Sequence, residues 1–175
     1  GDAEISINAQ AAVSGGVTGI YALHTGAGAT TITAGGAVSG GTAAIDAISA
    51  GAPIRIDVAG TGSLRNASGA LSDLAVRTSG GQANLTNAGL IAGTMNLSGA
   101  GNTVGNAGVW ATAGTSLFGG ATDVVTNQIG GAIVASGMTR FDNLGLIVNQ
   151  GRITMLNGVT GDVLQTSGNA RFDAG

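Results

Sequence analysis

Ala12-Val13-Ser14-Gly15-Gly16 returns unchanged as Ala37-Val38-Ser39-Gly40-Gly41, an offset of 37 − 12 = 25. The match runs past the pentad. Ile20, Ala22, Leu23 and Gly26 find Ile45, Ala47, Ile48 and Gly51 at the same offset, so the repeat covers a whole structural unit and not one shared turn. Within each copy and beyond it the apolar positions alternate, as in Ile54/Ile56/Val58 around Arg55 and Asp57, or Ile91/Gly93/Met95/Leu97. That is the period of a strand with one face inward. Glycines punctuate the strands, often in pairs, and disfavour helix throughout.

A second register follows. The pattern apolar, any, Asn, any, Gly, any, apolar occurs as Leu85/Asn87/Gly89/Ile91, Val104/Asn106/Gly108/Trp110 and Ile147/Asn149/Gly151/Ile153. Looser copies are Leu64/Asn66/Gly69/Leu71 and Val125/Asn127/Gly131/Ile133. The asparagine spacings are 87 − 66 = 21, 106 − 87 = 19, 127 − 106 = 21 and 149 − 127 = 22, while Asn143 with Gly145 falls off this rhythm. The chain is thus read as one segment in two registers, residues 1–60 with the first repeat and 61–175 with Asn-any-Gly corners.

Short strands recurring at those offsets suit a solenoid. A propeller blade needs about 40 to 50 residues, and a sandwich does not require each strand set to repeat its sequence, whereas a solenoid stacks every coil on a copy of itself. The expected fold is all-β, a parallel β-helix of about eight coils, which at roughly 4.8 Å per coil gives a rod on the order of 40 Å long. Asn66, Asn87, Asn106, Asn127 and Asn149 are expected at equivalent corners, bonding amide to amide from coil to coil and tolerating a left-handed backbone, with the following glycine relieving crowding. Small inward residues suit a narrow interior, and the scarcity of aromatics is expected from the same limit.

Composition agrees with this architecture and excludes several functions. The chain has 175 residues, 43% of them apolar, with 34 Gly, 1 Pro, 3% aromatics, 9% charged residues and no cysteine, against about 25% charged in ordinary domains. Ser, Thr and Asn fill the positions between apolar residues, giving a neutral, hydrogen-bonding exterior. All six basic residues are arginines and the net charge is −3, so no basic footprint for nucleic acid exists. No apolar run approaches the roughly 18 residues of a membrane span, and nothing at Gly1 to Gln10 resembles a signal peptide. The expectation is an internal piece of a longer precursor.

The Ala-Val-Ser-Gly-Gly copies with Ala44-Ile45-Asp46-Ala47, the Asn-any-Gly coils and the stretch from Phe118-Gly119-Gly120 through Asp123 to Asn127 together resemble the passenger region of bacterial autotransporters, in particular Gly-rich, pertactin-like passengers of alpha-proteobacteria. Met155 to Asn169, with Asn157-Gly158, Gly161-Asp162-Val163-Leu164 and Ser167-Gly168-Asn169, is similar to the end of such passengers. The resemblance implies a right-handed β-helix carried to the cell surface by type V secretion and anchored in the outer membrane by a C-terminal β-barrel outside this chain. It further implies a structural rod for adhesion to a host or neighbouring-cell receptor or for self-association, with contact to membrane only through that barrel.

An enzyme would need reactive groups in one place, and few exist. There is no Lys and no Cys, one His and one Glu. His24 is matched by Ser49 in the next copy, a surface or turn position, and has no second histidine for a metal site. No Gly-any-Ser-any-Gly elbow occurs. Asp57, Asp73, Asp123, Asp142 and Asp162 could converge on one face of a solenoid, since 142 − 123 = 19 and 162 − 142 = 20, and would then resemble the carboxylates of a β-helix polysaccharide lyase or glycosidase. The competing reading, that they cap turns beside Gly and Asn, is favoured. Trp110 and Tyr21 are the rings such a groove would need, and each stands alone in the sequence. Gly119-Gly120-Ala121-Thr122-Asp123 is half of a calcium-binding nonapeptide without its period. Gly26-Ala27-Gly28 and Gly99-Ala100-Gly101 lack the last glycine of a dinucleotide fingerprint, and the sequons at Asn66, Asn84 and Asn96 are incidental. No catalytic residue, metal or organic cofactor is assigned, and the protein is read as a non-enzyme.

Overall fold

A computed structural model describes residues 2–155, Val163–Thr166 and Asn169–Phe172. Every element in it is a strand, and every strand pair is parallel. The first coil consists of β1 (Ile5–Ala9), β2 (Val13–Gly15) and β3 (Thr18–His24), and the second of β4 (Thr30–Ala34), β5 (Ala37–Gly40) and β6 (Ala43–Ser49). The third holds β7 (Ile54–Val58), β8 (Ser63–Asn66) and β9 (Leu74–Ser79), and the fourth β10 (Ala83–Asn87), β11 (Leu90–Ala92) and β12 (Thr94–Leu97). After β13 (Thr103–Asn106), two long strands, β14 (Val109–Asn127) and β15 (Ala132–Asn149), run through the corners without a break. They are followed by β16 (Arg152–Met155), β17 (Val163–Thr166) and β18 (Asn169–Phe172).

Each strand pairs with the one a full coil away, as β1 with β4, β4 with β7, β7 with β10 and β10 with β13. Three flat faces result. The solid so formed is a β-solenoid of about six turns, slightly fewer than the eight expected. Coil length varies along it. The first two coils keep one offset on all three faces, with Ile5 opposite Thr30, Val13 opposite Val38 and Ile20 opposite Ile45. The next coil is longer, because residues 67–73 bulge out between β8 and β9, and Ile45 meets Val76 at an offset of 76 − 45 = 31.

Alternation sets what is inside. In β7, Ile54, Ile56 and Val58 are buried and Arg55 is exposed. Ile32, Val38, Ile45, Ile56, Leu64, Leu85, Ile91 and Ile133 stack down the interior at 0% exposure, each contributing about 1.5–3 kcal/mol of burial. The interior is not uniformly narrow, however. Trp110 lies inside at 0% exposure, stacked on Phe141 with ring centroids 4.8 Å apart and planes at 11°, and Phe118 meets Phe141 edge-on at 6.1 Å. Trp110 is therefore neither isolated nor on the surface. Its Nε1–H donates to the Gly93 carbonyl at 3.0 Å, so the ring brings its polar edge to a partner.

Candidate functional site

The repeated asparagines form the longest polar feature. At the corner between the first and second faces, Asn87, Asn106, Asn127 and Asn149 lie in register. Each Nδ2–H donates to the next Oδ1 at 2.7 Å: Asn87 to Asn106, Asn106 to Asn127, Asn127 to Asn149. The same nitrogens also donate to the carbonyls of Val109, Ala132 and Arg152 at 3.0–3.1 Å. At its start the ladder closes on its own turn, Asn87 Oδ1 accepting Gly89 N–H at 3.1 Å. The glycine is required by contact: a Cβ on Gly89, Gly108, Gly131 or Gly151 would collide with a carbonyl oxygen of the coil before.

Two expectations about these corners are corrected. Asn66 ends β8, one corner farther on, where it is level with Gly40; there it donates to the carbonyls of Gly41 and Thr42 at 3.0 Å and accepts Ser68 N–H. It caps a turn and does not join the ladder, because counting residues across a coil of changed length slides the marker by one corner. The ladder residues are also not left-handed. Asn143, the one off the rhythm, is the sole described non-glycine with positive φ, at 59°.

A second buried pair belongs to no sequence motif. At the corner between the third and first faces, Asn102 and Asp123 are both 0% exposed. Asp123 accepts Asn102 N–H at 2.9 Å, Asn102 Nδ2–H at 2.7 Å and Gly119 N–H at 2.7 Å, and Asn102 Oδ1 accepts Ala83 N–H at 2.8 Å. The spacing 123 − 102 equals 127 − 106, which is the one signal the sequence offers. The Gly119-to-Asp123 segment thus folds onto its own carboxylate.

The described aspartates do not converge. Asp57 lies outward on the first face, bonded by Arg55 Nε at 2.9 Å and Thr86 Oγ1 at 2.5 Å. Partial burial pushes its carboxyl pKa up, but the hydrogen bonds from Arg55 and Thr86 and the Arg55 charge together outweigh this and hold it below the ordinary value. Asp73 sits beside the bulged corner and accepts Ser68 Oγ–H at 2.6 Å. Asp142 is on the third face, level with Leu117 and paired with Arg140 at 2.8 Å. Asp162 lies outside the described residues, as do Asn157-Gly158, Gly161 and Ser167-Gly168. His24 is opposite Ser49 as expected, but it ends β3 with its side chain inward, 8% exposed, its Nδ1 3.4 Å from Thr30 Oγ1. Among the described residues no group of three His, Cys, Asp or Glu side chains is placed to hold a metal ion.

On the outer side of the third face, Tyr21, Asp46 and Arg77 stand level on successive coils. Arg77 grips Asp46 with two bonds, Nε to Oδ1 at 2.9 Å and Nη2 to Oδ2 at 2.5 Å. Asp46 is 3% exposed, whereas the Arg77 side chain keeps 44%. The bond and charge of Asp46 raise the Arg77 pKa, burial opposes slightly, and Tyr21 adds a smaller raise. Where this face turns toward the first, a cavity of about 570 Å³ opens between Thr25, Ala27, Ala50, Gly51 and Pro53.

Comparison with family profiles, curated proteins and solved structures returned no match. The geometry therefore carries the functional reading by itself. Its polar groups divide into those spent on the corners, such as the ladder and the Asn102–Asp123 pair, and a few on the outer faces.

Proposed function

We infer that this chain is a rod segment of a bacterial surface protein of the autotransporter passenger type, serving to hold an adhesive or self-associating face away from the outer membrane. The observation that carries this is the ladder Asn87–Asn106–Asn127–Asn149 on an uninterrupted stack of coils. Buried amides bonded in series contribute to register and stiffness along one axis, which a spacer needs. Asp57, Asp73, Asp123 and Asp142, scattered and each with a local partner, support the same reading over a carbohydrate-cleaving β-helix, whose two carboxylates must flank one bond.

Expression of the full precursor in a Gram-negative host tests it. Antibody against this chain should label intact cells, and added protease should remove the label without lysis. A chain protected from protease until the outer membrane is opened would overturn the reading. Turnover of a polysaccharide abolished by Asp142→Ala would replace it with the enzymatic one.

A further inference from the structure

We propose that the third face of the first three coils, together with the corner that follows it in the first two, binds a short neutral oligosaccharide. This rests on the adhesive role inferred above and names its ligand class. Trp110, Phe118 and Phe141 are all inside. Tyr21 instead stands 56% exposed on β3, with Leu23 beside it at 52%. An exposed tyrosine ring offers an apolar plate with a hydroxyl at its rim, complementary to the C–H face of a pyranose.

Next to that plate is the Asp46–Arg77 pair. In the following coils the same outward row holds Asn96 and Leu117, so the fold does not demand charge there. A buried ion pair adds little to stability by itself. This one holds a half-exposed guanidinium through its Nε and Nη2, which leaves Nη1 outside the pair for a ligand hydroxyl. Tyr21 is four residues from Thr25, about 13 Å along an extended strand, so plate and cavity lie within reach of one short chain of sugar rings. The hollow is open to solvent, so it offers a seat for one face of a sugar ring without enclosing it.

Charge selects among ligands. No charged side chain lines the cavity, and Asp46 and Arg77 cancel one another, so nothing compensates a carboxylated or sulfated sugar. The Thr25 hydroxyl at its edge suits uncharged ones.

The test uses the whole purified chain. Titration with gluco-, manno- and galacto-oligosaccharides of three to six units, followed by calorimetry, should give saturable binding to at least one. Tyr21→Ala should weaken it about tenfold or more, and Ala27→Phe, placed on an exposed loop position to fill the cavity, should do the same with unchanged circular dichroism. Leu117→Ala, farther along the same face, should leave it intact. Absence of binding at the solubility limit, binding only of uronate-containing sugars, or binding indifferent to both Tyr21→Ala and Ala27→Phe would each overturn the proposal. Loss of binding with surface labelling of cells intact removes the sugar site alone, and protected cells with binding intact remove the surface reading alone.

Discussion

One corner is built in two ways along the same molecule. At the end of the first face, the first three coils place Ala9, Ala34 and Val58 where the next four place Asn87, Asn106, Asn127 and Asn149. Both sets are largely buried, Ala34 and Asn106 each at 0%. The backbone path tolerates either chemistry, and what differs is dependence on neighbours. An apolar corner residue needs only contact. A buried amide costs about 1–3 kcal/mol for each group left without a partner, so asparagine works there only in a run, or where an end can close on its own turn as Asn87 does with Gly89. The interior changes over the same stretch, from Ile, Val and Ala around Ile32 and Ile45 to the Trp110–Phe141–Phe118 cluster.

The largest test of this contrast is Trp110→Ala. Losing a fully buried, stacked ring should destabilise the chain by about 3–5 kcal/mol. Hydrogen exchange should show amides of the Asn-laddered coils losing protection more than those of β1 to β6. Equal loss at both ends would mean that the two regions do not differ in what holds them.

Exchanging the corner chemistries sharpens the comparison. Asn106→Val strands the Asn87 donor and the Asn127 acceptor and should cost about 2–4 kcal/mol. The reverse swap, Val58→Asn, gives up burial but places an amide next to Asn87 Oδ1, for a net loss of about 1 kcal/mol. Urea midpoints measured on both variants check the order, and a larger loss at Val58 would refute the role given to the run.

The smallest effect concerns acid. The Asp57 pKa is lowered in the folded chain, so the unfolded chain takes up its proton first as pH falls. The stability contributed is present above the ordinary carboxylate value, about 4, and is lost as pH drops through the folded value. Asp57→Asn should therefore show a shallower loss of stability below about pH 4, with a difference under about 1 kcal/mol at neutral pH because solvent around the exposed arginine screens the pair. The ladder amides do not titrate and should contribute nothing to that slope.

Much of the fold is legible because a coil that stacks on itself must repeat its apolar spacing: the offset between Val13 and Val38 is the strand register itself. Counting misplaces Asn66 because equal spacing in sequence is not equal position once residues 67–73 lengthen a coil. Trp110 escapes for a related reason. A narrow interior follows from the average residue, whereas the Trp110 ring finds its partners locally, stacking on Phe141 and donating to the Gly93 carbonyl. The site on the third face is hidden because Tyr21, Asp46 and Arg77 lie at unequal offsets (46 − 21 = 25, 77 − 46 = 31) and share no motif. The repeat sets Tyr21 beside Asp46, and the longer coil that follows brings Arg77 level with them.

The asparagine ladder also has a sense of travel. Asn87, Asn106 and Asn127 each hand an N–H to the oxygen of the coil after, and Asn149 ends the run by donating to the Gly151 carbonyl, so the side-chain dipoles of the ladder point one way along the rod. Turning one amide over would set oxygen against oxygen on one side and nitrogen against nitrogen on the other, so they reverse together or not at all. Gly89 N–H at one end and the carbonyls of Val109, Ala132 and Arg152 along the way forbid the reversal. The ladder is thus a one-way ratchet of register: each coil inherits its corner from the one it stacks on, and an arriving coil that is a residue out of step finds the wrong end of an amide waiting for it.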